Sequence, residues 1–278
     1  LSWLESAALG ILQGLTEFLP ISSSGHLVLG ENLLKVKYGD ISFEVFLHFG
    51  TFLSVVIVFR RTIWGMVKAV ASKGRAVCGR CGRSNSLHYD QTRLNQDWRL
   101  FWLILAGSIP AGVLGILFKE AVEKSFSSSL FASIMLLITG SVLLLTRLFE
   151  DAKGKIKFPD AFLIGVAQAM AMLPGISRSG LTISAGIFRG IEREKAAEFS
   201  FLLSLPAILG ASALKLKDVL NASNPSSDLS DYLIGMILAF LSGCLAIKFL
   251  LKVIGKGKFE YFGLYCLLIG FLSLIFLR

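Results

Sequence analysis

Gln13-Gly14-Leu15-Thr16-Glu17-Phe18-Leu19-Pro20-Ile21-Ser22-Ser23-Ser24-Gly25-His26 ends an apolar stretch of residues 5–19 with a proline and three serines. Pro174-Gly175-Ile176-Ser177-Arg178-Ser179-Gly180-Leu181-Thr182 ends another, at 160–173, in the same way. A crossing helix needs roughly 17–25 apolar residues, and both stretches fall short. After each break the chain turns apolar again, at 27–34 and at 181–188. Helix, polar break and short helix predict a re-entrant hairpin that returns on the side it came from. Such a break is tolerated within a bilayer only where its open backbone lines a protein cavity.

The two hairpins match at a constant offset of 155 residues, pairing Gly10 with Gly165, Gln13 with Gln168, Ser22 with Ser177, Ser24 with Ser179 and Gly25 with Gly180. Six longer apolar runs surround them, at 44–60, 99–119, 129–148, 195–215, 230–253 and 259–277. Each half of the chain, 1–150 and 151–278, then holds one hairpin and three spans. An odd number of crossings makes the halves enter the membrane from opposite faces. The expected fold is therefore all-α: a polytopic membrane protein with six transmembrane helices and two re-entrant hairpins, arranged as an inverted-topology repeat within one integral membrane domain.

Composition points the same way. Of 278 residues, 54% are hydrophobic and 17% charged, against about 45–50% and about 25% in soluble domains. The net charge of +9 suits loops facing an anionic leaflet better than a nucleic-acid surface, so no nucleic-acid partner is expected. Cys78, Cys81, Cys244 and Cys266 are too irregularly placed for a disulfide framework, and Cys78-Gly79-Arg80-Cys81 without a second pair reads as part of a basic loop rather than a zinc site. No Lys or Arg precedes Lys35, so the start of the chain does not read as a signal peptide. With 61–98 placed inside, twenty basic residues fall on the inner side and seven on the outer. This puts both termini outside and brings the polar hairpin tips together near the midplane.

The chemistry is concentrated at those tips. Gln13 and Glu17 share a helix face at i, i+4, followed by three hydroxyls and His26. An ionisable residue inside a membrane segment is costly, by roughly 2.5–3.5 kcal/mol for Asp, Lys or Arg at a helix centre, and is usually retained for function. Arg178 presents a planar fork of donors suited to phosphate oxygens, and the N-terminus of a half-helix favours anions. Together they predict a phosphate cradle, in which Arg178 also has the option of neutralising Glu17. His48 reads as a polar group lining the cavity. A hydroxyl at this tip is a weak nucleophile unless a base assists, and His26 or Glu17 is close enough in sequence to do so; attack by His26 or by water stays open.

These residues resemble those of the integral-membrane undecaprenyl-diphosphate phosphatases, the bacitracin-resistance family. Its two signatures, Glu/Gln-x-x-x-Glu and Pro-Gly-x-Ser-Arg-Ser-x-x-Thr, are met by Gln13 to Glu17 and by Pro174 to Thr182. The similarity continues through Phe43-Glu44-Val45, Arg60-Arg61 and Ile109-Pro110-Ala111 and is faint across 70–98. Position 13 holds Gln where many members have Glu, and Ser24 stands where Thr is common. The resemblance implies hydrolysis of the lipid diphosphate carrier of cell-wall synthesis. It implies a divalent metal ion, Mg or Ca, held by Glu17, and a bacterial cytoplasmic membrane location with the site open to the periplasmic side. It implies catalytic roles for Glu17, for Ser23 as the favoured nucleophile, for His26 and for Arg178, and substrate contacts from Gln13, Ser22, Ser24, Gly175, Ser177, Ser179 and Thr182. The partners are then a polyprenyl diphosphate and membrane lipids, with a homo-oligomer left open.

Two other readings compete. A transporter or flippase of an anionic polyprenyl lipid would use the same broken helices and cradle. A type 2 phosphatidic acid phosphatase would need a histidine six residues after Arg178, and that position is Ser184.

Overall fold

The structure, a computed structural model, describes residues 2–26, 28, 41–77, 88–149, 153–221 and 229–276. Cys78 and Cys81, most of the stretch 27–34 expected to return from the first break, and the expected boundary between halves at 150–151 lie outside the described residues. Among the described residues every regular element is helical, apart from one isolated bridge between Gly154 and Ile191.

Helix α1 (Trp3–Phe18) opens with a capping box: Ser2 and Glu5 each accept the other's backbone N–H, at 2.9 Å for the Glu5 carboxylate. It stops where Pro20 disfavours helical geometry in the residue before it, and Leu19 is extended at ψ 141°. A second helical segment starts at 23–26. Helix α2 (Ile41–Val58) is followed by α3 (Arg60–Val77), bent 79° away from it. Then come α4 (His88–Leu117), α5 (Lys119–Ser125) and α6 (Ser129–Leu145), the last running into a 3₁₀ turn at Thr146–Leu148. The second hairpin is α7 (Phe158–Met170) and α8 (Arg178–Phe188), followed by α9 (Arg193–Asn221), α10 (Leu229–Gly255) and α11 (Tyr261–Phe276).

Among the described residues, three helical segments are both long and apolar enough to cross a membrane: Gln91–Leu117, Ser129–Leu148 and Leu229–Gly255. The bent pair Phe43–Val58 and Arg60–Lys73 makes a fourth if taken as one span. The region 61–98, expected as an inner loop, instead carries α3 and the start of α4. A search for long apolar runs passes over α3, because its buried Met66 and Ala69 recur at helical spacing between Arg and Lys.

Burial is inverted relative to a soluble protein. Helix α10 buries Gly235, Ala239, Ser242, Gly243 and Ala246 and leaves Leu241, Leu245 and Phe249 exposed. With lipid outside, apolar burial gives no net drive, so helices associate through close packing of small residues. Helix α10 receives α1 and α2 in this way. A Cβ on Gly10 would come within 2.4 Å of the Gly235 carbonyl oxygen, and one on Gly165 within 2.1 Å of that of Gly107. The first contact joins α1 to α10 and the second joins α7 to α4. Ser54 adds an interhelical bond, donating to the Phe240 carbonyl at 2.8 Å. Helix α2 also packs on α9, and α6 on α11. This frame holds the hairpin tips, flanked by α6, α9 and α11. The chain is thus an all-helical, polytopic membrane protein.

Candidate active site between two hairpin tips

Each tip is built by a serine that starts a helix. The Ser22 hydroxyl accepts the Gly25 N–H at 3.1 Å, and the Ser177 hydroxyl accepts the Gly180 N–H at 3.1 Å. Capping of this kind satisfies one donor of the first turn and leaves the N-terminal positive end of the dipole at the break. The second tip turns on Gly175 at φ +92°, where a Cβ would also meet the Ala132 carbonyl oxygen at 2.2 Å. Only glycine meets both demands. Thr139 of α6 locks that tip, donating to the Gly175 carbonyl at 2.9 Å and accepting the Ser177 N–H at 3.1 Å. The tips touch: a Cβ on Gly25 would fall 2.9 Å from the Gly175 Cα.

Contact between the tips brings the charged residues into one cluster. Arg178 Nη2 donates to Glu17 Oε1 at 2.6 Å, joining residues 161 positions apart. Glu17 Oε2 accepts from Gln13 Nε2 at 3.0 Å and from the Ser23 hydroxyl at 3.2 Å. The Glu17 side chain is 8% exposed and that of Arg178 21%, so the carboxylate is enclosed while the cation keeps an accessible edge. Buried carboxylates persist when charge-paired and fully hydrogen-bonded, and here both oxygens are used.

Helix α2 extends the network. Gln13 Nε2 also lies 3.5 Å from His48 Nδ1, and His48 Nε2 lies 3.6 Å from Glu44. The sequence had marked His48 only as a cavity-lining group and had given Glu44 no role. The signal available was the i, i+4 spacing of the two on one helix face.

His26 is placed differently from expectation. Its Nδ1 lies 2.8 Å from the Ser22 carbonyl, which can only accept, so Nδ1 carries the proton. The Nε2 lone pair then accepts from the Tyr265 hydroxyl at 2.9 Å, the two rings stacking at 5.6 Å between centroids. His26 has no hydrogen bond to Ser23 or Glu17. Tyr265 lies 239 residues away in sequence, beyond the reach of any local pattern.

The remaining motif residues divide by burial. Ser22, Ser177, Ser179 and Thr182 are buried. Ser22 lies 3.4 Å from the Ser24 hydroxyl, Ser177 lies 3.3 Å from that of Ser179, and Thr182 pairs with Ser200 of α9. These contacts fasten the hairpins. Ser24 is partly accessible.

A metal fits this donor set in one mode only. Among the described residues no group of three or more His, Cys, Asp and Glu could hold an ion, so a protein cage is not formed. The cluster instead offers hard oxygens from Glu17 and Ser23. That suits a Mg- or Ca-type ion completed by the oxygens of a bound phosphate.

Two helix starts, one arginine and a hydroxyl bonded to a carboxylate thus meet within the membrane fold, a set of groups chemically complementary to phosphate oxygens. A profile of the family described as bacitracin resistance protein BacA matches residues 6–272, and the chain belongs to that family. It is 44% identical to an undecaprenyl-diphosphatase of Desulforapulum autotrophicum over 98% of this chain and 97% of the relative. It is 42% identical to one of Salinibacter ruber over 99% of each. One of Methanosphaera stadtmanae is 37% identical over 98% of this chain and 97% of its own length.

Proposed function

We propose that this chain is a phosphoanhydride hydrolase that converts undecaprenyl diphosphate and water to undecaprenyl phosphate and inorganic phosphate, recycling the lipid carrier of bacterial cell-wall synthesis. The observation that carries the mechanism is the chain of contacts from Ser23 to Glu17 to Arg178. Ser23 attacks the terminal phosphorus, and Glu17, already accepting its hydrogen bond, takes the proton. The anhydride P–O bond breaks and the lipid monophosphate leaves as an anion. Water then attacks the phosphoserine: its hydroxyl goes to phosphorus, the bond from phosphorus to the Ser23 oxygen breaks, Glu17 returns its proton to that oxygen, and the water's other proton leaves with the phosphate. Arg178 and the N-termini at 23–26 and α8 stabilise charge as it shifts to the leaving oxygen. Gln13 orients Glu17. His26, tied to Ser22 and Tyr265, positions the first tip. A divalent ion would be held by Glu17 and the substrate's phosphate oxygens, where it supplies charge neutralisation.

The finer architecture belongs to the same proposal. Six spans and two hairpins form an inverted repeat, with halves at 1–150 and 151–278, in the bacterial inner membrane with the site open to the periplasmic side. The twin serine caps, and the parallel between α1 on α10 and α7 on α4, support the repeat. The excess of basic residues on one side supports the orientation. The test is phosphate release from undecaprenyl diphosphate by protein purified in detergent, where no sealed compartment exists. Release that stops on chelation is expected. Binding without release would favour a carrier, and full activity in excess chelator would remove the metal.

A further inference from the structure

Far from the hairpin tips, α3 and the first turns of α4 enclose a cavity of about 260 Å3 lined by Arg61, Trp64, Gly65, Lys68, Arg93 and Asp97, with Leu94. Three cations face one carboxylate. Asp97 is pressed against the backbone of α3, since a Cβ on Gly65 would fall 2.4 Å from its Oδ2. Among the described residues neither Arg61 nor Lys68 has an ion-pair partner. Lys68 Nζ instead lies over the Trp64 ring, 5.8 Å from its centroid.

The surrounding residues carry the marks of a membrane boundary. The apolar α2 ends at Val58 and α3 turns 79° from it. Along α3, Trp64 is 60% and Val67 50% exposed, beside the exposed Arg61 and Lys68. Exposed apolar residues alternating with cations on one helix are the pattern of a helix lying in the interface, apolar side in the acyl region and basic groups at the headgroups. In α4 the charged residues end at Arg99, and Trp98, Phe101 and Trp102 form an aromatic cluster with edge contacts of 5.6 Å, as at a lipid–water interface.

We propose that this cavity is a binding site for the headgroup of an anionic phospholipid of the surrounding bilayer. Arg61, Lys68 and Arg93 engage the phosphodiester, and Trp64 and Val67 lie along the acyl chains. A net-positive pocket between interfacial helices is complementary to such a headgroup. Asp97 repels a more highly charged free phosphate and can accept a hydrogen bond from a headgroup hydroxyl. The site is separate from the hairpin cluster and does not depend on the proposed hydrolysis.

The test is lipid retention measured by native mass spectrometry on protein released from nanodiscs of equimolar phosphatidylglycerol and phosphatidylcholine. The wild type should retain phosphatidylglycerol preferentially, and Lys68→Gln should weaken that retention by about fivefold, as expected for one interfacial cation. Arg61→Gln with Lys68→Gln should weaken it further, while Lys153→Gln with Lys155→Gln on another basic segment should leave it unchanged. Adding millimolar inorganic phosphate should not displace the lipid. Equal retention of the two lipids by the wild type would overturn the proposal without reference to any variant. So would loss of the lipid to inorganic phosphate, or unchanged preference in the double variant at α3.

Discussion

At the first tip Ser22 caps Gly25, and at the second Ser177 caps Gly180 at the same 3.1 Å, 155 residues further on. Around these equal caps the side chains are unlike. Ser23 corresponds to Arg178, Glu17 to Met172 and His26 to Leu181, while Gln13 meets its own kind in Gln168. One hairpin carries the hydroxyl and the carboxylate; the other carries the cation. Similar serine caps bring two helix starts into contact, and the different side chains around them make the meeting point chemically directional. The two glutamines show the difference plainly. Gln13 bonds Glu17, whereas Gln168 is 3% exposed with neither amide atom hydrogen-bonded within the described protein.

The largest effect expected from this asymmetry is at Arg178. Arg178→Ala removes the cation from the second tip and strands the enclosed Glu17, so phosphate release should fall at least about 10²-fold, with KM rising as kcat falls. Arg178→Lys should restore part of the binding, because it returns the charge without the fork. Steady-state kinetics would break the comparison if Arg178→Ala left both constants near normal.

A smaller effect is expected at His26, to which the proposed mechanism gives a positional role. His26→Ala and Tyr265→Phe should each lower kcat by roughly tenfold and leave the shape of the pH–rate profile unchanged. A general base would contribute about 10²–10⁴-fold and its loss would remove a limb of the profile. That second outcome would move the proton transfer from Glu17 to His26.

The smallest effect belongs to Gln168. Gln168→Met removes two buried amide atoms that have no protein partner and keeps a flexible side chain of similar length, so activity should persist. Stability in detergent should rise by about 1 kcal/mol, the usual scale of relieving an unsatisfied buried polar group. A loss of activity would show that the second tip uses its glutamine as the first does.

Much of this was legible in the sequence because membrane folding leaves strong marks. Pro20 and Pro174 followed by Ser and Gly can hardly continue a helix, and Glu17 and Arg178 stand out in apolar surroundings. The offset of 155 then announces the hairpins as a pair. Contacts that depend on distant helices left no such mark. The Tyr265 hydroxyl that occupies His26, and the Thr139 side chain that locks Gly175, sit in apolar helices that read alike along their length. Helix α3 was hidden for another reason: its sequence is half polar, so a search for long apolar runs passes over it.

The central claim is that Ser23 attacks while Arg178, from the other tip, holds the phosphate. It is tested most directly by Ser23→Ala, assayed for phosphate release and, separately, for binding of undecaprenyl diphosphate. The account predicts that release collapses while the lipid still binds, because the substitution removes the attacking oxygen and leaves Arg178 and both helix N-termini in place. Near-normal release by Ser23→Ala would contradict it.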